Sequence, residues 1–566
     1  MMNNKWVGLI LSLVALNNAP ALAFDVEIDG LTGELETNLR SHLVAYENHR
    51  LDRVSQRQFR SVIDTALHPY GYYHSTFEST VTNDDHLKLE VVAGEPVRIN
   101  TLDIRLDGSA AHDEEFLALL AQTPLQQGAV LNHQSYDALK SKLLSLAMRK
   151  GYFDAQFSVA RMEVIPDQNR ANIQLHFNSG DRYQFGEVTL HNNQIEPSRT
   201  QGLATFEDGQ AYEAHLVSEY QARLIETDWY RDVVLAPNLS SGKKSHQVPI
   251  DIYLTPKSKH IAQVGAGYST NTGARGSLRW LQPWYNEKGH SFESKLEISE
   301  PEQSLLLGYK IPERDVINDY YGVRFEAKHT DYLDTLSVLG DLTFEKHWRL
   351  DDDWQSTAFL KYLYENYQQA SDSNETQLMM PGIEFLYEPS REDSASVQHR
   401  HLYSVAYSSS NLLSDSEVLR IEGSSQLKWA IADNHRVLMR SYLGANFADS
   451  IEDVPSSLRF FAGGDNSIRG YKYNSISPKD EAGELTGGRF AATLGLDYQA
   501  RLYGSLWGGL FYDVGDVFNE SSHWKQGAGL SLEWDSKWLP IKLDIAKGKQ
   551  SEDDYRLHLS FGATFK

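Results

Sequence analysis

The sequence predicts two fold types in one chain: three small α+β modules, followed by an all-β transmembrane barrel of about 16 antiparallel strands. Three observations predict this. A glycine–aromatic motif recurs in the first half, each time after a helical run. Near Ile261 the helical period gives way to strand-length segments that alternate apolar and polar residues. The chain has 30 Tyr, 22 Phe and 11 Trp at a mean hydropathy of −0.46, and nine of the tryptophans lie beyond residue 260. Amphipathic rings gathered in one half of a polar chain fit the aromatic girdles of a membrane barrel.

The N-terminus sets the compartment. Lys5 precedes an apolar run from Trp6 to Leu16, and Ala21-Leu22-Ala23 offers a small-x-small cleavage site. Residues 1–23 therefore read as a secretory signal peptide, with the mature chain starting at Phe24. No other stretch holds 18 consecutive apolar residues, so a membrane-inserted form has to be a closed barrel.

The modules follow. Gly71-Tyr72-Tyr73-His74-Ser75-Thr76-Phe77 returns about 80 residues later as Gly151-Tyr152-Phe153-Asp154-Ala155-Gln156-Phe157. Helices are expected before each copy, over about 55–67 and 134–149. In the second, Leu139, Leu143, Leu144 and Ala147 fall at helical spacing. Alternating strands such as Leu87–Val91 follow. Gly94-Glu95-Pro96 is echoed by Gly180-Asp181-Arg182. A third, weaker unit has a helix near 211–227 and strands near 229–234 and 248–253. A period of that length is a small domain, not a solenoid repeat. The expected boundaries are 24–96, 97–181 and 182–259, with the barrel over 260–566.

In the barrel, strands are expected at about 261–269, 276–284, 290–299, 303–311, 320–330, 336–348, 354–366, 376–388, 399–409, 417–431, 435–447, 487–502, 504–513, 525–535, 537–547 and 555–565. In the last, Tyr555, Leu557, Leu559, Phe561, Ala563 and Phe565 would face lipid, with Arg556, His558, Ser560 and Thr564 inside. Closure pairs this strand with the first. That seam is marked by Gly265 and Gly267 on one side and by Tyr555 to Phe565 on the other. Glycine weakens a strand interior, so the seam is the expected weak pairing.

One connection is conspicuously long, from about Ala448 to Thr486, and a loop of that length inside a compact barrel is usually functional. It carries Gly463, Gly464, Ile468, Arg469, Gly470 and Tyr471. Arginine is a rigid five-donor fork suited to paired carboxylates in a confined lumen, and the next two strands offer Asp497 and Asp513. Here a family resemblance becomes specific. Ile468-Arg469-Gly470-Tyr471 resembles the V/I-R-G-F/Y signature of the outer-membrane assembly superfamily that includes BamA, TamA and the two-partner-secretion pores. Phe511-x-Asp513-x-Gly515 resembles its F-x-D-x-G strand motif. The Gly-Tyr-Tyr/Phe repeats resemble polypeptide-transport-associated (POTRA) domains. The resemblance implies that the loop folds into the lumen and that Arg469 pairs with Asp513 and with Asp497. It also implies a barrel in the bacterial outer membrane with its N-terminal modules in the periplasm. The count of three modules points to the TamA type, a subunit of a translocation and assembly module. The implied partners are client outer-membrane proteins such as autotransporters, an inner-membrane TamB-like protein reached through the periplasmic modules, and outer-membrane lipid. The alternatives are a two-partner-secretion pore and lipid transport between the membranes.

Other function classes find little support. Without cysteine there are neither disulfides nor thiolate metal sites. A net charge of −24 disfavours nucleic acid. Neither G-x-S-x-G nor H-E-x-x-H occurs, so no enzyme, cofactor or metal is expected. His399 and His401 sit two apart on a strand but would need further ligands. A passive porin needs neither the N-terminal half nor the glycine-rich loop.

Overall fold

The computed structural model describes residues 25–44, 54–81, 86–389, 396–536, 539–551 and 555–565. The signal-peptide reading of residues 1–23 and the start at Phe24 lie outside them, as does Trp538. Two compact units make up the chain, one holding the first two modules and the other the barrel.

The first module has strands β1 (Asp25–Asp29), β2 (Thr76–Val81) and β3 (His86–Val92) in the order β1-β3-β2. Helices α1 (Glu34–Leu43) and α2 (Gln56–Leu67) belong to it. Ser55 starts α2 with a reciprocal capping box to Gln58, satisfying two helix-end donors. Phe59, Ile63, Ala66 and Leu67 recur on one face of α2 and are buried with Leu87, Leu89 and Val91. The second module repeats the plan, with strands β4 (Arg98–Asp107), β5 (Gln156–Ile165) and β6 (Arg170–Asn178) in the order β4-β6-β5. Its helices are α3 (Glu114–Ala121) and α4 (His133–Arg149).

The sequence repeat is a repeat of hydrogen bonds. Gly71 and Gly151 both end their helices at positive φ, 90° and 80°, where a side chain would be strained. Each lends its carbonyl to the start of the next module: Gly71 accepts from Val97 N at 2.8 Å, and Gly151 from Tyr183 N at 2.9 Å. The third sheet comprises β7 (Gln184–His191), β8 (Tyr230–Pro237) and β9 (Gln247–Pro256), ordered β7-β9-β8.

Sixteen antiparallel strands then close into a barrel, from β10 (Ile261–Ser269) to β25 (Arg556–Phe565). Strands expected at 261–269 and 435–447 have those bounds. The one expected at 537–547 is shorter, Ile541–Gly548, and the one expected at 276–284 is shifted to Gly273–Gln282. Alternation is plain in β21 (Phe490–Tyr503). Leu494, Leu496 and Tyr498 are 40–50% exposed on the outside, whereas Asp497 and Gln499 are 4% and 1% exposed inside. Trp280, Trp429, Trp524 and Trp534 are outward and exposed. Trp507 corrects the girdle expectation: it occupies an inward position on β22 (Leu506–Phe518), under the Arg436 guanidinium at 4.1 Å.

Candidate functional site

The long connection links β20 (His435–Phe447) to β21 and runs inside the barrel. Its first half is tied to the wall by polar anchors. The Ser457 amide and hydroxyl both donate to Glu365, the hydroxyl at 2.6 Å. Arg459, its side chain 1% exposed, donates from Nη2 to Asp372 at 2.6 Å and from Nε to the Val454 carbonyl at 2.7 Å. Further on, Phe460, Ala462, Ile468, Tyr471 and Ile476 pack with Ala491 and Val517 of the barrel wall. The backbone bridges Ala462 to Ile476 and Phe460 to Gly488, so the segment doubles back.

At the turn sits Arg469, completely buried. Its Nε and Nη2 take Asp513 in a two-pronged grip, at 2.7 Å to Oδ2 and 2.8 Å to Oδ1, and its backbone N–H adds a third bond at 3.0 Å. Nη2 also meets Asp497, and Nη1 donates to Asp544 Oδ2 at 3.2 Å. The ring of Phe511 lies under the guanidinium at 3.5 Å. Asp497, Asp513 and Asp544 point inward from three strands of the wall: the neighbours β21 and β22 and, past β23 (Lys525–Trp534), β24 (Ile541–Gly548). A second cation, Arg440 of β20, reaches Asp513 at 3.3 Å.

Glycine makes this approach possible. Gly470 has φ of 93°, and a Cβ there would meet Gly548 N at 2.5 Å; a Cβ on Gly527 of β23 would overlap the Arg469 carbonyl. Gly463 and Gly464 also hold positive φ. Tyr471 packs in the loop's apolar cluster, and its hydroxyl accepts from Gln550 N.

The profile described as "Omp85 superfamily domain" matches residues 260–565. The chain belongs to the Omp85 superfamily. Within its N-terminal half, residues 25–93 match "POTRA domain TamA domain 1" and residues 100–180 match "Surface antigen variable number repeat". A curated relative is the outer membrane protein assembly factor BamA of Nitratidesulfovibrio vulgaris, 35% identical over 149 residues, covering 24% of this chain and 19% of that one. The match thus spans about a fifth of that relative's length. Among solved structures, BamA from Haemophilus ducreyi lacking POTRA domains 1-3 superposes with a TM-score of 0.69 at 15% identity, over 82% of this chain and 100% of the other. That likeness is one of fold. CdiB from Escherichia coli is more distant, with a TM-score of 0.49 at 11% identity over 90% and 98% of the two chains. The protein is an outer-membrane barrel with periplasmic POTRA domains.

In this Omp85 barrel the closing seam pairs β10 with β25 over six residue pairs, from Val264–Phe565 to Ser269–Ser560. Gly265 faces Thr564, and Gly267 faces Gly562. Both glycines of the latter pair are bare on the inside, and the Arg275 guanidinium lies over them. The seam is short, but pairings β24–β25 and β17 (Asp372–Tyr387) with β18 (Val397–Ser408) also hold only six pairs. Tyr555 is a correction. It lies just before β25, under Lys547 of β24, and takes no part in the pairing with β10, because the seam uses only the C-terminal half of the last strand.

Three residues of this site are not singled out by the sequence, whereas Phe511 already belongs to the strand motif and the structure places its ring under Arg469. Asp544 and Arg440 occupy inward positions on expected strands, so strand parity is the available signal. Arg459 directly precedes the glycine-rich segment, and nothing in its sequence setting marks it. His399 Nδ1 lies 3.2 Å from His401 Nε2. Among the described residues no group of three or more His, Cys, Asp or Glu is arranged to hold a metal ion.

Proposed function

We propose that this chain is the outer-membrane subunit of a translocation and assembly module, promoting insertion or secretion of outer-membrane proteins such as autotransporters without a catalytic step. One observation carries the reading: a closed barrel whose seam is six pairs long and bare of side chains at Gly267–Gly562, with a buried arginine holding an inserted loop beside it. In this reading the modules (24–96, 97–181 and 182–259) bind extended client segments by strand addition at sheet edges. The seam strands β10 and β25 then part, template a client strand and release it into lipid. Outer-membrane lipid is the medium the client enters.

The finer assignment, with an inner-membrane TamB-like partner engaged through the first module, is supported by the match of residues 25–93 to a TamA-type POTRA description. Crosslinking the full chain in cells and purifying it tests this. The expected product contains an inner-membrane protein that is lost when residues 25–93 are deleted. Recovery of a secreted substrate and no inner-membrane protein would favour the two-partner-secretion alternative. Recovery of lipid alone would favour lipid transport.

A further inference from the structure

The inserted loop also holds the two strands of the seam, through a group that the arginine network does not use. Asp465 lies four residues before Arg469 and is 8% exposed. Its carboxylate accepts from the Ser269 hydroxyl, the last residue of β10, at 3.4 Å. Asn271, with its amide nitrogen turned toward the carboxylate, donates to Asp465 Oδ1 at 3.1 Å and accepts from the Asp465 N–H at 3.1 Å. On the opposite side of the seam, His558 of β25, 3% exposed, places Nδ1 at 2.5 Å from Asp465 Oδ1. Its other ring nitrogen, Nε2, accepts from the Gly470 N–H at 3.0 Å. An imidazole nitrogen that accepts carries no proton, so the proton sits on Nδ1 and points at Asp465. One carboxylate therefore holds the end of the first strand and the beginning of the last, just beyond the Ser269–Ser560 pair that ends the seam ladder, while one imidazole holds the loop at two points.

We propose that Asp465 and His558 form a clasp that keeps the seam shut while the loop is seated, so that parting of β10 from β25 requires the loop to move. The inference rests on the reading above, in which the seam opens during client assembly, and it names what regulates that opening. Three features favour it. The clasp lies where the seam is still paired: Thr270 N donates to Leu559 O at 2.9 Å, and Leu559 N donates to Thr270 Oγ1 at 3.2 Å. At the Gly267–Gly562 pair neither seam strand has a side chain of its own on the inward face, which is covered there by Arg275, so β10 and β25 make no side-chain contact with each other at that pair. The loop is independently fixed by Arg469, whose partner Asp544 is the cross-strand neighbour of His558. Arginine network and clasp thus meet on one strand pair. His558 and Asp465 are positioning residues; neither contacts a client in this arrangement.

The chain's lack of cysteine makes the test clean. Amide exchange is measured on the full chain in lipid nanodiscs, comparing the seam segments 264–269 and 560–565 with β15 (Thr335–Arg349) as internal control. His558→Phe and Asp465→Ala are expected to speed seam exchange roughly tenfold or more, with β15 unchanged. His558→Gln, which retains one donor and one acceptor, should stay within about threefold of the parent. Seam exchange at the parental rate in His558→Phe would overturn the proposal, as would His558→Gln exchanging as fast as His558→Phe. The opening itself is read separately by oxidising an Ala266→Cys/Ala563→Cys pair, which are cross-strand partners at the seam. A locked barrel that assembles no clients until reduced supports the regulatory role. One that assembles clients equally well when locked overturns both seam opening and that role, even where the exchange data show the contact.

Discussion

Replacing Arg469 with alanine removes the cation around which three carboxylates are gathered. Asp497, Asp513 and Asp544 have side chains 5%, 0% and 1% exposed. After truncation Asp513 retains Arg440 at 3.3 Å, and Asp544 retains Lys542 at 3.4 Å. Among the described residues Asp497 retains no ion-pair partner. Breaking a buried pair from one side costs ~3–5 kcal/mol because the other charge stays buried, and the two surviving cations argue for the lower half of that range. At 1.4 kcal/mol per decade, ~3 kcal/mol is roughly a hundredfold in the folding equilibrium. The comparison is Arg400→Ala, whose pair with Glu388 spans 3.6 Å with both side chains about half exposed; exposed pairs contribute ~0–1 kcal/mol. Urea unfolding in detergent micelles, followed by tryptophan fluorescence, should therefore place Arg469→Ala well below Arg400→Ala. Adding Asp497→Asn to Arg469→Ala should recover part of the loss, since it removes the carboxylate left most exposed to repulsion. Equal midpoints for the two single variants would refute the claim that the network is an energetic centre of the barrel.

Gly527→Ala should displace the loop, because a Cβ there collides with the Arg469 carbonyl. A cost of ~1–3 kcal/mol is expected, with faster proteolysis within 448–489. Trp229 is 3% exposed, and its Nε1 donates to the Gly289 carbonyl at 3.1 Å. Trp229→Ala should cost ~3–5 kcal/mol and raise amide exchange around residues 286–290. In the second module, burial pushes the Asp113 carboxyl up, but Lys150 at 2.9 Å and the Glu115 and Phe116 amides outweigh it and hold it below the ordinary range. A depressed carboxyl stabilises the fold above its unfolded pKa and ceases to do so as pH falls through its folded pKa. Exchange in α3, corrected for intrinsic rates, should thus rise only below about pH 4. Lys150→Met should raise it already at neutral pH.

Much of the fold was legible because barrel strands are written in a two-residue code that survives imperfect boundaries. In β21 the outward Leu494, Leu496 and Tyr498 and the inward Asp497 and Gln499 can be read without knowing where the strand begins. Boundaries were harder where turn residues extend the ladder. The strand expected to start at 376 begins at Asp372, because Ser373, Asn374 and Glu375 still pair across to β16 (Trp354–Gln369). Polar residues near a barrel end look like loop in sequence, yet their backbone groups can still complete the ladder. The tryptophan-girdle reading failed at Trp507 for a related reason. Hydropathy gives the ring's preference for an interface, but parity decides the side, and Leu510, Tyr512 and Trp507 do not share one.

The site was legible only where chemistry and spacing coincided. Arg469 stands out as a five-donor cation in a glycine-rich loop, and Asp497 and Asp513 as carboxylates on the next two strands; their pairing is what the resemblance of Ile468–Tyr471 and Phe511–Gly515 to the superfamily motifs implies. Asp544 is likewise a strand carboxylate, sitting between the outward Leu543 and Ile545, and parity alone would have placed it inward. It was missed because it is separated from the loop by β23, so proximity in sequence argued for its neighbours first. His558 was assigned inward, but a histidine between Leu557 and Leu559 carries no sign of what faces it. That requires knowing that closure brings Ser269 and Ser560 together, a contact between residues almost 300 positions apart. Seam contacts depend on the strand count of the whole barrel: the first and last strands close antiparallel because the count is even, and one strand more or fewer would set them parallel with different partners.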